Sequence, residues 1–354
     1  MTTVKNVIHS IANPLTYICN LSFTTGAFPQ KMKMAKVIPL YRSGDSKLYS
    51  NYRPVSLLCQ FSKVLEKLFE KRLKVFLEKF NILSDSQYGF REQRPTALAL
   101  LDLTEEISSY IDKSNHVIGV FVDLKKAFDT INHDILFMKM ERYGIRGIFL
   151  EWLKSYMGNR KPYVQIRDYR SSSLDITVGV PQGSALGPTL FTLFINDLCM
   201  TSKKLKFILF ADDTNILCSG KKLRNLMHDV MTELTYLNHW FRLNKLSINM
   251  EKPKYILFGN KKTKTEERMI IDNNEIERLT ETKFLGVILD EQLNWKPQIK
   301  NIKIKLAKSV GLLNKTKLFL NYKARYILYS SLVMPHLSYC VEIWGNTYPS
   351  NLQS

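Results

Sequence analysis

The chain has 354 residues, of which 45% are hydrophobic, so it can bury a sizeable core, and its length suggests two or three lobes. Lys and Arg number 51 against 32 Asp and Glu, which gives a formal net charge of +19 at pH 7. This charge favours a polyanionic partner, nucleic acid above all, whereas no segment has the one-sided pattern of a membrane-surface helix.

Cysteine usage and the apolar stretches exclude further classes. The five cysteines are scattered singly, which argues against a disulfide framework and against a zinc site. It favours a reducing, intracellular compartment but does not distinguish nucleus from cytoplasm. Asn13 and Pro14 interrupt the first apolar run, so no secretory signal is expected. The most apolar long stretch, 178–198, contains prolines and polar residues and is a poor membrane span.

The N-terminal region predicts a helix within residues 1–30, a strand at 37–41, a polar turn at 42–47 and a second extended segment at 51–58. Three cations are spaced around this β-loop-β unit: Lys36, Arg42 and Arg53. They are compatible with a clamp for phosphate groups and equally with a solvated basic face.

Helical spacing dominates the next segment. Apolar residues recur with helical period over 60–80, and charged residues, Glu66 among them, fill the opposite face. The apolar stripe is expected to be core. A turn at 87–91 leads into a second helix at 96–111, and Gly89 in that turn permits close backbone approach, as a template contact would require.

A continuous apolar run at 116–122 predicts a buried strand that delivers Asp123 at its C-terminal end. Asn132 is a candidate cap for the following helix, and a further helix is predicted at 147–157. Segments 161–167 and 174–180 are predicted to pair as a hairpin.

A loop rich in Gly and Pro at 179–188 precedes a predicted helix at 189–198. Its glycines allow a ligand to approach the backbone, and Gln182 offers both a donor and an acceptor.

Two adjacent carboxylates, Asp212 and Asp213, separate two short apolar runs and predict a hairpin turn. Neighbouring carboxylates repel each other, so they are expected to be solvated or neutralised by a divalent cation. A solvated turn is the simpler interpretation of this pair considered alone.

The C-terminal part predicts a long helix at 222–243, a strand at 255–258 and a mobile basic linker at 260–268. A strand or hairpin follows at 283–290. Helices are predicted at 295–320 and 322–344, the second interrupted by Pro335.

Asp123 precedes Asp212 by 89 positions, but each lies at the end of an apolar strand. Neighbouring strands of one sheet would bring these ends together. Three carboxylates could then hold two Mg²⁺ ions about 3.5–4 Å apart, the arrangement of a two-metal phosphoryl-transfer site. Hard oxygen ligands favour Mg²⁺ over zinc.

Seven short segments stand out in order along the chain: Tyr-Arg-Pro-Val-Ser-Leu-Leu at 52–58, Gln-Tyr-Gly-Phe-Arg at 87–91, Phe-Val-Asp-Leu-Lys-Lys-Ala-Phe-Asp at 121–129, Val-Pro-Gln-Gly-Ser at 180–184, Phe-Ala-Asp-Asp at 210–213, Leu-Ser-Ile-Asn at 246–249 with Lys252, and Phe-Leu-Gly at 284–286. In this order they resemble the motifs of reverse transcriptases, and most of all those of non-LTR (LINE-type, jockey-like) retrotransposons.

The resemblance implies an α+β, right-hand polymerase fold. A reverse transcriptase domain is expected at 20–290, with fingers at 20–115 plus part of 140–180 and a palm whose antiparallel sheet carries the Asp-Asp hairpin. A truncated, helical, thumb-like segment is expected at 291–354. No room is expected for an endonuclease domain before residue 20, and no RNase H region or Cys/His knuckle is visible.

The implied activity is RNA-directed DNA polymerisation, in which dNTPs are added to a primer 3′-hydroxyl with two Mg²⁺ ions, or Mn²⁺ in their place. The implied partners are an RNA template and a DNA primer or target, with neither a membrane nor zinc.

The resemblance also implies roles for individual residues. Asp123, Asp212 and Asp213 would be catalytic and bind metal. Arg53, assisted by Arg42, would contact the triphosphate, and Gln182 would touch the nucleotide. Template or primer contacts are implied for five residues: Gly89, Arg91, Gly183, Phe284 and Gly286.

The resemblance implies two further roles, one in sugar selection and one in proton transfer. Phe128 lies where the family places an aromatic side chain under the sugar, which excludes a ribose 2′-hydroxyl. Lys252 resembles a lysine that would protonate the leaving pyrophosphate, although Pro253 departs from the usual Thr and Lys254 is a rival.

Two alternatives remain open at this point. One is an inactive, nucleic-acid-binding relic of such an element. The other is an RNA-dependent RNA polymerase, against which Phe128 argues because that class carries a polar residue there.

Overall fold

The computed structural model describes residues 8–124, 126–247, 254–259, 268–271, 274–347 and 351. Its strands are β1 (Met34–Tyr41), β2 (Tyr52–Leu58), β3 (His116–Asp123), β4 (Lys161–Ile166), β5 (Tyr169–Arg170), β6 (Lys206–Phe210), β7 (Asp213–Gly220), β8 (Lys254–Phe258), β9 (Met269–Ile271), β10 (Asn274–Leu279), β11 (Glu281–Phe284) and β12 (Val287–Asp290).

The helices are α1 (Ile8–Thr25), α2 (Gln60–Lys79), α3 (Thr96–Asp112), α4 (His133–Arg142), α5 (Ile148–Met157), α6 (Leu186–Phe194), α7 (Leu223–Leu243), α8 (Lys296–Thr316), α9 (Tyr322–Leu332), α10 (Met334–Ser338) and α11 (Val341–Trp344). The predicted α+β class is therefore confirmed. None of the helices in the described part of the chain is long and apolar enough to cross a membrane.

Contacts divide the chain into two compact units. The first comprises Met1–Phe90, Leu124–Thr201 and His239–Ile248. The second comprises Arg91–Asp123, Ser202–Asn238 and Asn249–Ser354.

The first unit contains a four-stranded sheet in the order β2-β1-β4-β5. Strand β1 is antiparallel to β2 and parallel to β4. The predicted pairing of 161–167 with 174–180 is confirmed in part. Strand β4 pairs first with β5, through Ile166↔Tyr169, across a two-residue turn with Arg167 at φ +52°. Farther along, Leu174 N donates to Pro162 O at 3.4 Å and Ile176 N donates to Arg160 O at 3.2 Å. The turn at Arg167 closes the hairpin immediately, and the serine-rich segment that follows has low strand propensity.

Aromatic packing around Trp152 forms the core of the first unit. The Trp152 ring stacks on Phe69, with ring centroids 4.2 Å apart, and on Tyr156 at 5.7 Å. Phe28 meets it edge-on at 5.4 Å, and the indole Nε1 donates a hydrogen bond to Ser22 Oγ at 2.9 Å. Trp152 buries a large apolar surface and still satisfies its only donor, which is how a buried indole is normally accommodated.

Helix α2 follows the predicted bounds, but two details of its faces differ. Leu68 and Phe80, expected in the core, are exposed, and Phe69 is fully buried instead. Glu66, expected on the solvated face, is 0% exposed. Its carboxylate accepts hydrogen bonds from Ser62 Oγ at 2.8 Å and from the Ala185 backbone N–H at 2.7 Å. These partners, one of them 119 positions away, make burial of the acid tolerable.

The helix predicted at 189–198 begins earlier and ends earlier, as α6. Pro188 lies in its first turn, where the missing N–H has no intrahelical partner to lose. Beyond the helix, the side chain of Asn196 bonds to two backbone groups that lie 112 and 114 positions earlier in the chain. Its Oδ1 accepts from Ser84 N and its Nδ2 donates to Ile82 O, both at 2.8 Å. These bonds hold Asn196 at the start of the 3₁₀ turn Asn196–Met200.

The second unit is organised around a six-stranded sheet in the order β6-β7-β3-β8-β10-β9. The β6-β7-β3-β8 part is antiparallel, and β10 is parallel to β8. Strand β3 therefore lies inside the sheet, and its residues Val117 to Val120 are buried, as its continuous apolar run predicts. Helix α3 packs on β3 and β6.

The predicted strand or hairpin at 283–290 is a hairpin, β11–β12. The helix predicted at 295–320 is α8, which ends at Thr316, and the one predicted at 322–344 is divided into α9, α10 and α11. Pro335 lies in the first turn of α10, and α9 ends before it because Pro335 has no backbone N–H to donate to the carbonyl four residues earlier and its ring crowds that carbonyl.

Candidate functional site

The Asp-Asp pair lies at a tight turn between two strands of the second unit. Phe210 of β6 pairs with Asp213 of β7, so Ala211 and Asp212 are the two central residues of the turn. Ala211 has φ +56°. A positive φ at the first central residue fits the right-handed twist of a hairpin, but it strains any residue other than glycine. The turn therefore carries backbone strain directly beside the two carboxylates.

The register of the sheet brings Asp123 to the same place. Strands β3 and β7 are antiparallel, and Asp123 pairs directly with Asp213. Side chains of directly opposed residues leave the same face of a sheet with Cβ atoms about 4.5–5.5 Å apart. The expectation that the ends of two separate apolar strands converge is thus met by the structure.

The three carboxylates influence one another electrostatically. Partial burial, together with the negative charges of Asp212 and Asp123, raises the pKa of Asp213 to about 6. Asp213 and Asp123 nevertheless both remain exposed to solvent over part of their surface. An excess of negative charge that water reaches is an environment suited to a small, hard cation.

The donor set fits Mg²⁺ in its chemistry. Among the described residues, no three His, Cys, Asp or Glu side chains form a group that could hold a metal ion. Mg²⁺ commonly takes only one or two protein carboxylates and completes its shell with water and substrate phosphates. Asp123, Asp212 and Asp213 offer oxygen ligands of this kind.

Lys252, the expected general acid, lies outside the described residues. Its rival Lys254 opens strand β8, where it pairs with Phe121 of β3. The Lys254 Nζ lies 3.9 Å from Glu277 Oε2, in an exposed ion pair. The role of either lysine stays a prediction.

In the first unit, Gln182 is hydrogen-bonded on two sides. Its Nε2 donates to Asp129 Oδ1 at 2.7 Å. Its backbone carbonyl accepts from Ser56 N of β2, also at 2.7 Å. The loop that carries Gln182 is thus fixed between the turn after Phe128 and strand β2.

Phe128 lies in the 3₁₀ turn Ala127–Asp129 and is half-buried. Its ring rests against the fully buried Phe191, with centroids 4.7 Å apart, and meets Phe90 edge-on at 6.2 Å. The ring is therefore backed by the core while part of it stays accessible, as a side chain that limits the size of a ligand must be.

Gly183 has a structural reason to be glycine. It adopts φ +108°, and a Cβ at this position would lie 2.7 Å from the Ser56 carbonyl oxygen. Only glycine allows the loop to approach β2 this closely. A template contact by Gly183 stays a prediction.

Arg42 and Arg53 lie at the two ends of the β1–β2 connection and are exposed. Arg53 pairs with Leu40, and Arg42 N donates to Asn51 O at 2.9 Å. The hydroxyls of Tyr41 and Tyr52 bond to backbone carbonyls of the same connection. The connection is thus well ordered and presents both guanidinium groups to solvent.

The other residues predicted to contact the template or primer lie in different surroundings. Gly89 is buried and its N–H donates to Gln87 Oε1 at 2.9 Å, and Arg91, in the second unit, is half-buried. Phe284 is 3% exposed, which gives it a packing role. Gly286 and Leu285 form the turn between β11 and β12 with φ +87° and +44°. Contacts of Gly89, Arg91, Phe284 and Gly286 with template or primer stay predictions.

Two residues with evident roles were missed by sequence reasoning: Asp129, which binds Gln182, and Glu66, which binds the loop at Ala185. Their partners are 53 and 119 positions away, and no local pattern marks such a bond.

The fold agrees with comparisons to known proteins. The family model described as "Reverse transcriptase (RNA-dependent DNA polymerase)" matches residues 43–289. The chain belongs to this reverse transcriptase family.

Curated relatives refine the comparison. The chain is 30% identical to the probable RNA-directed DNA polymerase from transposon BS of Drosophila melanogaster, with 95% of this chain and 38% of that protein covered. It is 28% identical to the RNA-directed DNA polymerase from mobile element jockey of the same species, with 96% and 38% covered. The resemblance to non-LTR, jockey-like elements is confirmed. The chain spans a little over a third of the length of these relatives.

Solved structures of telomerase from Candida tropicalis share the fold. One, an apo form truncated from the C-terminal domain, has a TM-score of 0.50 at 13% identity and covers 80% of this chain and 59% of that one. Another, in complex with a TWJ fragment of telomeric RNA, has a TM-score of 0.52 at 12% identity and covers 94% and 57%. The predicted right-hand polymerase fold is thereby confirmed.

Proposed function

We propose that this chain catalyses RNA-directed DNA synthesis for a non-LTR retrotransposon, adding dNTPs to the 3′-hydroxyl of a DNA primer on an RNA template. The observation that carries the proposal is the direct pairing of Asp123 with Asp213, next to Asp212, at one end of the antiparallel part of the six-stranded sheet. Membership of the reverse transcriptase family and a net charge of +19 support it.

The three aspartates would hold two Mg²⁺ ions, for which Mn²⁺ could substitute. When bound, these ions would supply the positive charge that favours ionisation of the 3′-hydroxyl and stabilises the leaving pyrophosphate. The 3′-hydroxyl gives up its proton to solvent water, its oxygen forms the new bond to the α-phosphorus of the dNTP, and the bond between that phosphorus and the pyrophosphate oxygen breaks. The task of Asp123, Asp212 and Asp213 would be to hold their oxygens at one place on the sheet, and the β3–β7 register supports this role.

Further predicted residues would contact the nucleotide. The exposed guanidinium groups of Arg53 and Arg42 suit the triphosphate, since arginine recognises phosphate through paired N–H donors. Phe128, supported by Phe191, would bar a ribose 2′-hydroxyl. Template or primer contacts by Gly89, Arg91, Gly183, Phe284 and Gly286, and proton donation by Lys252, complete the proposal.

Parallel primer extension with dNTPs and rNTPs on an RNA template tests the substrate. The wild-type chain is expected to extend with dNTPs in the presence of Mg²⁺ and to use rNTPs poorly. Phe128→Val is expected to raise rNTP use relative to dNTP use. Preferred extension with rNTPs by the wild-type chain would indicate an RNA polymerase. Salt-sensitive RNA binding without Mg²⁺-dependent extension would indicate an inactive relic.

A further inference from the structure

Two motifs of the first unit are joined by several backbone contacts. Val180 N donates to Phe128 O at 2.8 Å, and Gly179 N donates to Ile131 O at 2.7 Å. Gly179 adopts φ +84°, and a Cβ there would lie 2.7 Å from the Asp129 carbonyl oxygen. The backbone of the Gln182 loop is therefore held close against the turn that carries Phe128 and Asp129.

The opposite side of the loop is held as well. The carbonyl of Gln182 accepts from Ser56 N, and Glu66 accepts from Ala185 N, each at 2.7 Å. With the backbone fixed at both sides, the freedom left to Gln182 is that of its side chain. The orientation of the Gln182 amide therefore depends on what the side chain itself contacts.

That contact is Asp129. A carboxylate offers only acceptors, so the Gln182 amide must turn its NH₂ group toward Asp129 Oδ1, as the 2.7 Å bond shows. The Gln182 Oε1 and the second N–H are then the groups left for another partner. Without Asp129, the amide could rotate and exchange its donor for its acceptor.

We propose that Asp129 is a positioning residue that fixes the amide orientation of Gln182, so that Gln182 presents its carbonyl oxygen in a single orientation to the nucleotide or template base. This inference rests on the proposed function, because it assumes that Gln182 contacts those groups. It assigns to Asp129 a role separate from that of its neighbour Phe128.

A double-mutant cycle in dNTP incorporation tests the proposal. Asp129→Ala is expected to raise the KM for dNTP about tenfold, the effect of losing one hydrogen bond to a charged group, with a smaller change in kcat. In a Gln182→Ala background the same substitution is expected to have almost no further effect. Asp175→Ala, which removes an exposed carboxylate from the same unit, is the matched control and is expected to leave KM unchanged.

A second pair of variants separates positioning from folding. Gln182→Glu places two carboxylates against each other and is expected to lower Tm. Combining it with Asp129→Asn lets an amide donate in the opposite direction, so Tm is expected to recover while the KM for dNTP stays high, since the groups presented are changed. If the bond had only a structural role, recovery of Tm would be accompanied by recovery of the KM for dNTP.

The outcomes are distinguishable. A wild-type chain that neither extends a primer nor binds dNTP would overturn the proposed function and this inference with it. An active wild-type chain in which the effects of Asp129→Ala and Gln182→Ala on KM add independently would overturn the inference alone. Recovery of both Tm and KM in the combined variant would also overturn it.

Discussion

Asp123 and Asp213 are direct partners across two antiparallel strands, at the end of β3 and the beginning of β7. Because Asp213 immediately follows Asp212 in the hairpin, one register relationship brings Asp123 together with carboxylates that are 89 and 90 positions away in the sequence. The arrangement concentrates negative charge, and the resulting repulsion is part of what a bound cation would relieve.

The charge concentration predicts a pH-dependent stability. The pKa of Asp213 is raised from 3.8 to about 6, so the folded state binds more protons than the unfolded state between these values, and stability falls as pH rises through this window. In metal-free protein, Asp213→Asn is expected to raise the free energy of unfolding at pH 7.5 by about 1 kcal/mol. This figure is well below the free energy that corresponds to the full pKa shift, because solvent screens an exposed group.

The same substitution is expected to have little effect at pH 4, where Asp213 is largely protonated in the folded state. Urea unfolding of both proteins in EDTA at pH 4 and 7.5 measures the difference. An equal effect at the two pH values would show that the charges of Asp212 and Asp123 do not act on Asp213.

Backbone strain at Ala211 predicts an unusual response to substitution. Ala→Gly normally destabilises a protein, but at φ +56° the glycine relieves strain, so Ala211→Gly is expected to change the free energy of unfolding by less than about 0.5 kcal/mol. Ala211→Val adds β-branching at the same φ and is expected to cost about 1–3 kcal/mol. Thermal unfolding of both variants measures this, and a well-tolerated valine would show that the turn is not strained.

Close packing at Gly183 predicts that Gly183→Ala lowers the free energy of unfolding by more than the positive φ alone would. Gly183→Ala meets both a positive φ and the Ser56 oxygen at 2.7 Å, whereas Gly147, at φ +62°, has nothing within 4 Å of a new Cβ. Gly147→Ala is therefore the matched control and is expected to cost about 1–2 kcal/mol. Gly183→Ala is expected to cost about 1–3 kcal/mol more, since overpacking forces the backbone to shift. Equal losses in denaturant unfolding would contradict the close approach to β2.

The buried Glu66 predicts opposite results for two substitutions. Glu66→Ala leaves the Ala185 N–H and the Ser62 hydroxyl without their acceptor and is expected to cost about 2–4 kcal/mol. Burial raises the pKa of Glu66 above 4.5, although its hydrogen bonds and the charge of Arg160 partly offset this. The glutamate is therefore increasingly unfavourable as pH rises above its ordinary pKa.

Glu66→Gln keeps the shape and an acceptor oxygen, and it is expected to gain stability relative to the wild-type chain between pH 5 and pH 8. Unfolding free energies measured across this range check the sign. A constant difference between Glu66→Gln and wild type would show that the acid is not buried in its charged form.

Local patterns predicted much of this fold because the determinants were close in sequence. Asn132 was expected to cap a helix, and its Oδ1 accepts from Ile135 N at 3.0 Å. The apolar run before Asp123 predicted a buried strand, and Asp212 with Asp213 predicted a hairpin. In each case, neighbouring residues within one element supply the physical cause.

The failures arose where a distant partner decides the conformation. Glu66 looks like part of a solvated face until the Ala185 N–H is known to lie beside it. The bond between Asp129 and Gln182 has no signature in either motif. A different case is the tight turn at Arg167, which was not predicted because its two residues, Arg167 and Asp168, include no glycine.

The central claim is that Asp123, Asp212 and Asp213 form the catalytic centre of a Mg²⁺-dependent polymerase. The most direct test is primer extension on an RNA template with dNTPs, comparing the wild-type chain with Asp212→Ala and with Asp229→Ala, which removes an exposed carboxylate from the same unit. We expect extension by the wild-type and Asp229→Ala chains only when Mg²⁺ is present, and a loss of at least about a thousandfold in folded Asp212→Ala protein. Undiminished extension by Asp212→Ala would contradict the account.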